Sequence, residues 1–194
     1  MKNHILLIGD RLGGIEPGLG DLVADLMLVD FPELPLSFTV HSSSRNTVDH
    51  LFQNCPREII GRRAGTTVLC VGWEDLQSAL PGESLVHQYF QLLQEILHNS
   101  HSEIVACTLP CAHFPTDSLV RAKAQTLNSA LRATATDQRL TILDLDRIVN
   151  DYQNRQLVRG DLFRNLFTDQ NSLNALGQML CARAISSELS SSLK

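Results

Sequence analysis

Ile5-Leu6-Leu7-Ile8-Gly9-Asp10-Arg11-Leu12 carries four apolar residues straight into a glycine and two charges. A short apolar run closed by turn residues predicts a buried strand with a tight exit. The arrangement returns along the chain. Leu36–Val40 runs into His41–Asn46, Thr67–Val71 into Gly72-Trp73-Glu74-Asp75, Ile104–Cys107 into Thr108–His113, and Leu140–Leu143 into Asp144. Between these runs lie amphipathic stretches. Helices are predicted over Leu19–Val29, Thr47–Phe52, Ser118–Ala133, Arg147–Tyr152 and Asn174–Leu189. Leu85, Tyr89, Leu92, Leu93, Ile96 and Leu97 recur at helical spacing and predict another. Ser190-Ser191-Ser192 reads as a frayed tail.

Five strands alternating with helices imply an α/β fold: three layers, α/β/α, around a five-stranded parallel sheet covered on both faces. The 194 residues suit one domain spanning 1–194. Ligands of such sheets bind at the carboxyl ends of the strands, near the point where strand order reverses. The residues after each strand are therefore the candidate site.

Composition narrows the function. The hydrophobic fraction of 43%, charged fraction of 19% and net charge of -5 are those of an ordinary globular chain. Arg62 and Arg63 form an adjacent basic pair without the clustered Lys and Arg that nucleic acid requires, so no nucleic-acid partner is expected. No run approaches the roughly 20 apolar residues of a membrane span. Ile5–Ile8 is too short for a signal sequence, and a cytoplasmic location is expected. The five cysteines, Cys55, Cys70, Cys107, Cys111 and Cys181, are odd in number and scattered, which predicts buried thiols rather than a disulfide framework. Cys107 and Cys111 lack the further ligands of a zinc set, so no metal is expected. Gly9–Gly14 lacks both glycine-rich phosphate-loop spacings, so no nucleotide or other cofactor is implied.

The order of the post-strand segments resembles the SGNH (GDSL-type) hydrolases. Gly9-Asp10-Arg11-Leu12 is similar to their Gly-Asp-Ser-Leu block, and Gly72-Trp73-Glu74-Asp75 to their Gly-x-Asn-Asp block. Phe167-Thr168-Asp169 followed by Leu173-Asn174-Ala175-Leu176-Gly177 resembles the Asp-x-x-His block and the start of the last helix. The resemblance implies a flavodoxin-like sheet, and an esterase site with a Ser nucleophile, a His base and an Asp that orients it. A serine backbone N–H, a glycine N–H and an Asn side chain form its oxyanion hole.

Carried over by position, that site changes character. Arg11 stands at the nucleophile, and a guanidinium has no lone pair to attack an acyl carbon. Glu74 stands at the oxyanion Asn, where a carboxylate repels developing negative charge. Ser172 stands at the base, and a lone hydroxyl accepts no proton near neutral pH. Asp169 alone keeps its family identity. The oxyanion glycine corresponds to Ser42 or Ser43, which act through backbone. The resemblance thus implies a pseudoenzyme, in which Arg11 either pairs with Glu74 and Asp169 or stands exposed to solvent after the activity was lost.

The alternative is an active esterase with a non-standard constellation, in which His41 or His113 serves one of Ser42, Ser43 and Ser44. Asp10, Arg11, Ser42, Ser43, Trp73, Glu74, Asp169 and Ser172 form the candidate ligand pocket. Trp73 reads either as a face for an acyl or carbohydrate-like ligand or as core. A protein partner is the other binding role open to such a chain. Asp144 is expected to cap the helix after it, and Asp10 to accept backbone N–H groups in its own turn.

Overall fold

The computed structural model describes residues 3–10, 18–111, 113–134, 137–159, 165–168 and 172–192. The apolar runs form strands β1 His4–Gly9, β2 Ser37–Ser42, β3 Thr66–Cys70, β4 Glu103–Cys107 and β5 Leu140–Leu143. All neighbouring pairs are parallel, in the order β2-β1-β3-β4-β5. β1, β3 and β4 are almost wholly buried, as continuous apolar runs inside a doubly covered sheet must be. β2 and β5 are the half-exposed edges. β2 begins and ends one to two residues later than the apolar run predicts, because pairing with β1 carries it to Ser42 opposite Gly9.

The helices are α1 Leu19–Asp30, α2 Val48–Glu58, α3 Trp73–Leu76, α4 Gly82–Asn99, α5 Leu119–Arg132, α6 Leu145–Arg159 and α7 Ala175–Ser192. Crossovers between parallel strands are right-handed as a rule, which puts α1 on one face and α2, α4 and α5 on the other. Accordingly, α1 packs on α7, while α4 packs on both α2 and α5. Strand order reverses between β1 and β3, so the exits of these two strands frame the crevice.

Three helices outrun their sequence signals. α2 passes Phe52 and accommodates Pro56 in its last turn, after Thr47 caps it by accepting the His50 N–H at 3.2 Å. α6 covers Leu145–Arg159 rather than Arg147–Tyr152. The expected frayed tail is wrong: α7 continues through Ser192, with Ser190 and Ser191 hydroxyls donating to the carbonyls of Ser187 and Glu188.

Candidate functional site

The exits of β1 and β3 are tied together by one carboxylate. Asp10 Oδ2 accepts the backbone N–H of Trp73 at 2.7 Å and that of Glu74 at 3.4 Å. Asp10 is itself buried, and its N–H donates to the Cys70 carbonyl at 3.3 Å. These two N–H groups come from the neighbouring strand's exit, while the turn after Asp10, where it is expected to accept N–H groups, lies outside the described residues. Gly72 makes the turn possible. Its φ of 113° lies in the left-handed region, and an added Cβ would press on Leu109 and Leu127 at 3.3 Å. Trp73 and Glu74 then open the short helix α3.

The β2 exit is bound to the same place. Ser43 donates its N–H to the Gly9 carbonyl at 3.1 Å, so that N–H is already engaged. The buried Asn46 side chain donates to the carbonyls of Gly9 at 2.8 Å and His41 at 2.9 Å. Asp75, also buried, accepts the Val48 N–H with both oxygens. Burial raises its pKa above the usual carboxylate range, against the lowering effect of that backbone donor. Ser42, Gly9, Asp10, Gly20 and Cys70 line a cavity with about 20 Å³ of open space, room for about one water-sized molecule.

The third wall precedes α7. Phe167 and Leu173 form an isolated antiparallel bridge, and Thr168 donates its N–H to the Ser172 carbonyl at 2.7 Å. Ser172 is 6% exposed. Asn174 caps α7 by accepting the Gly177 N–H at 3.0 Å and donates from its side chain to the Asn165 carbonyl at 2.6 Å. An added Cβ at Gly177 would collide with the Leu166 carbonyl oxygen, which explains a glycine there.

An aromatic stack joins these walls. Trp73, 2% exposed, stacks on His113, Phe114 and Phe167, with ring centroids 5.5, 5.3 and 6.3 Å away. His113 lies 3.7 Å from Phe167 and 3.9 Å from Phe114 by the same measure. Both His113 nitrogens are buried without hydrogen-bond partners. Burial, reinforced by the Arg121 charge, pushes its pKa down to about 4. Of the two readings of Trp73, its position is that of core.

Of the candidate residues, the structure brings together Asp10, Trp73 and Glu74, with Ser42 and Ser43 across the β1 exit. Arg11 and Asp169 lie outside the described residues, and with them the expected three-charge cluster. Among the described residues, His41 and His113 make no hydrogen bond to a serine hydroxyl, and no group of His, Cys, Asp or Glu is arranged to hold a metal ion. The five cysteines are free and buried. Cys111 belongs to a network with Asp146, whose carboxylate accepts its N–H at 3.0 Å and also meets Arg132 at 2.9 Å. Asp144 caps α6 by accepting the Arg147 N–H at 3.1 Å. Burial opposes its ionisation, but Arg132 at 2.7 Å and 2.8 Å, Arg147 and Thr108 outweigh that and lower its pKa.

This architecture is shared with solved esterases. A tryptophan mutant of Axe2, an acetyl-xylooligosaccharide esterase from Geobacillus stearothermophilus, superposes with a TM-score of 0.77 at 18% identity, over 97% of this chain and 96% of that one. The fold is that of the SGNH hydrolases. The acetyl xylan esterase AlAXEase matches at a TM-score of 0.72 and 16% identity, covering 95% and 98% of the two chains. LAE5, an alpha/beta hydrolase from the metagenome of Lake Arreo, matches with the same score and identity over 95% and 94%. No family model and no curated protein matches the sequence. Catalytic mutants of Axe2 replace a serine, an aspartate and a histidine by alanine, the last two three positions apart. Among the described residues, no helix is long and apolar enough to cross a membrane.

Sequence reasoning missed the parts of this SGNH scaffold that organise the crevice: Asn46, Asp75, Asn174 and the His113 stack. Asn174 and Asp75 stood within recognisable blocks. Asn46 and the stacking of His113 depend on contacts between distant segments, which no local spacing encodes.

Proposed function

We propose that this chain, as one domain over residues 1–194, is a non-hydrolytic protein on the SGNH scaffold. Its crevice at the strand exits holds a small acyl or carbohydrate-like ligand without cleaving it. The observation that carries this reading is the chemistry of the two described positions that an ester hydrolase depends on. Glu74, in the Asp10-anchored turn, offers a carboxylate where a neutral donor is needed. Ser172, in the loop before α7, offers a hydroxyl where a base is needed. Arg11, in place of a nucleophile, completes the set by sequence position.

His113 supports the same reading. With both nitrogens enclosed among aromatic rings, it has no serine to deprotonate. The names of two of the similar structures support the ligand class, since Axe2 is an acetyl-xylooligosaccharide esterase and AlAXEase an acetyl xylan esterase.

Two measurements on the purified chain test the proposal. Incubation with p-nitrophenyl acetate is expected to release no more nitrophenolate than buffer alone. Thermal unfolding with acetate, short acyl amides or xylo-oligosaccharides is expected to shift upward with ligand concentration for one class. Ester turnover abolished by Ser42→Ala, Ser43→Ala or Ser44→Ala would replace this reading with that of a rearranged hydrolase.

A further inference from the structure

The sheet ends on one side at β2, with an edge that no strand or helix among the described residues covers. Ser37 donates its N–H to Asn3, and Ser43 to Gly9, so the odd-numbered residues of this strand face β1. Strand geometry then turns the N–H and C=O groups of Phe38, Val40 and Ser42 outward. Among the described residues, no strand pairs with that side. Exposed edges are ordinarily blunted by lysine, proline, a bulge or brevity. The opposite edge, β5, is only four residues long. β2 has six residues, Ser37-Phe38-Thr39-Val40-His41-Ser42, without lysine or proline, in unbroken register with β1.

The edge is complementary to itself. Three outward residues at spacing two, centred on Val40, pair antiparallel across a two-fold axis: Val40 with its copy, and Phe38 with Ser42 of the other copy. The flanking charges match this direction. Asp30 and Glu33 precede the strand and Arg45 follows it; all three are exposed, and none forms an ion pair among the described residues. Antiparallel pairing sets the acidic end of one copy beside the basic end of the other. Leu28 and Val29, at the end of α1 leading to β2, add apolar surface there, 48% and 75% exposed.

We infer that a second copy of this chain docks on β2, joining two five-stranded sheets into one continuous ten-stranded sheet through antiparallel β2 pairing. This goes beyond the proposed function and does not depend on it.

Sedimentation equilibrium of the full chain from about 1 to about 100 µM is expected to show a reversible monomer–dimer equilibrium. Val40→Pro removes an outward N–H while leaving the ladder to β1 in place, and should yield monomer alone. Arg45→Glu or Glu33→Lys should each weaken the dimer about tenfold, and combining them should restore it to within about threefold of wild type. A wild-type chain that stays monomeric across this range overturns the proposal, as does a dimer that Val40→Pro leaves intact. If circular dichroism shows Val40→Pro to be unfolded, the charge exchange decides: single replacements without effect, or a double one without recovery, also overturn it.

Discussion

The carboxylate of Asp10 holds the backbone N–H of Trp73 at 2.7 Å and thereby fixes the exits of β1 and β3 against each other. The Trp73 N–H is buried and has little access to water, so losing its acceptor leaves an unsatisfied donor. Asp10→Ala is expected to cost about 2–3 kcal/mol, and Asp10→Asn, which keeps an acceptor without the charge, about half of that. Trp73 is the lone tryptophan, so its fluorescence reports this loop during urea unfolding. An unchanged urea midpoint in Asp10→Ala would show that the contact contributes nothing.

Asn174 and Gly177 set the start of α7 against the loop that carries Ser172. Asn174→Ala removes the cap from the Gly177 N–H and the bond to Asn165, and is expected to cost about 1–2 kcal/mol. Gly177→Ala would ordinarily favour a helix by about 1 kcal/mol. Here the new methyl meets the Leu166 carbonyl, and the Leu173 side chain at 2.9 Å, so destabilisation is expected to win. Chemical unfolding of both variants gives the signs, and a stabilised Gly177→Ala would contradict the packing described.

The sheet was legible in the sequence because a doubly covered parallel sheet writes its central strands as unbroken apolar runs. Ile5–Ile8 and Ile104–Cys107 fall within the central strands β1 and β4, and the run Leu140–Leu143 coincides with the edge strand β5. The extension of α2 past Pro56 was not legible, since proline is normally read as a break, whereas the helix runs on to Glu58 with Leu51 and Cys55 buried on its inner side. At the site, the blocks at Gly72 and Leu173 could be read because turns and caps are local chemistry. The stack of Trp73 on Phe167 joins residues almost a hundred positions apart, and its geometry exists only after folding.

His113 makes the stability of the fold sensitive to acid. An unfolded histidine titrates near 6.5, whereas burial in the stack holds His113 at about 4. Between those values the unfolded chain binds more protons, so this residue lowers stability as pH falls through that window and has no effect above it. His113→Phe, which keeps an aromatic ring, is expected to lose less stability than wild type between pH 7 and pH 4. Unfolding free energies of both proteins at several pH values give the difference directly. Parallel profiles would mean that the imidazole takes up its proton equally easily in both states.

Restoring the family's chemistry tests whether the correspondence of positions holds. Catalytic groups that act as a unit are strongly non-additive, so Arg11→Ser, Glu74→Asn or Ser172→His alone is expected to turn over p-nitrophenyl acetate no faster than wild type. The triple variant supplies a hydroxyl, a neutral oxyanion donor and an imidazole three positions after Asp169. It is expected to exceed wild type by at least about tenfold, with a rate that rises as the new imidazole loses its proton. Ser172 is 6% exposed, so the larger ring must find room, and the variant's thermal unfolding has to be measured alongside its activity. A folded but silent triple variant would mean that residues 11, 74 and 172 do not meet as the family's residues do. Wild-type turnover equal to that of the triple variant would mean that this crevice already hydrolyses esters by other groups.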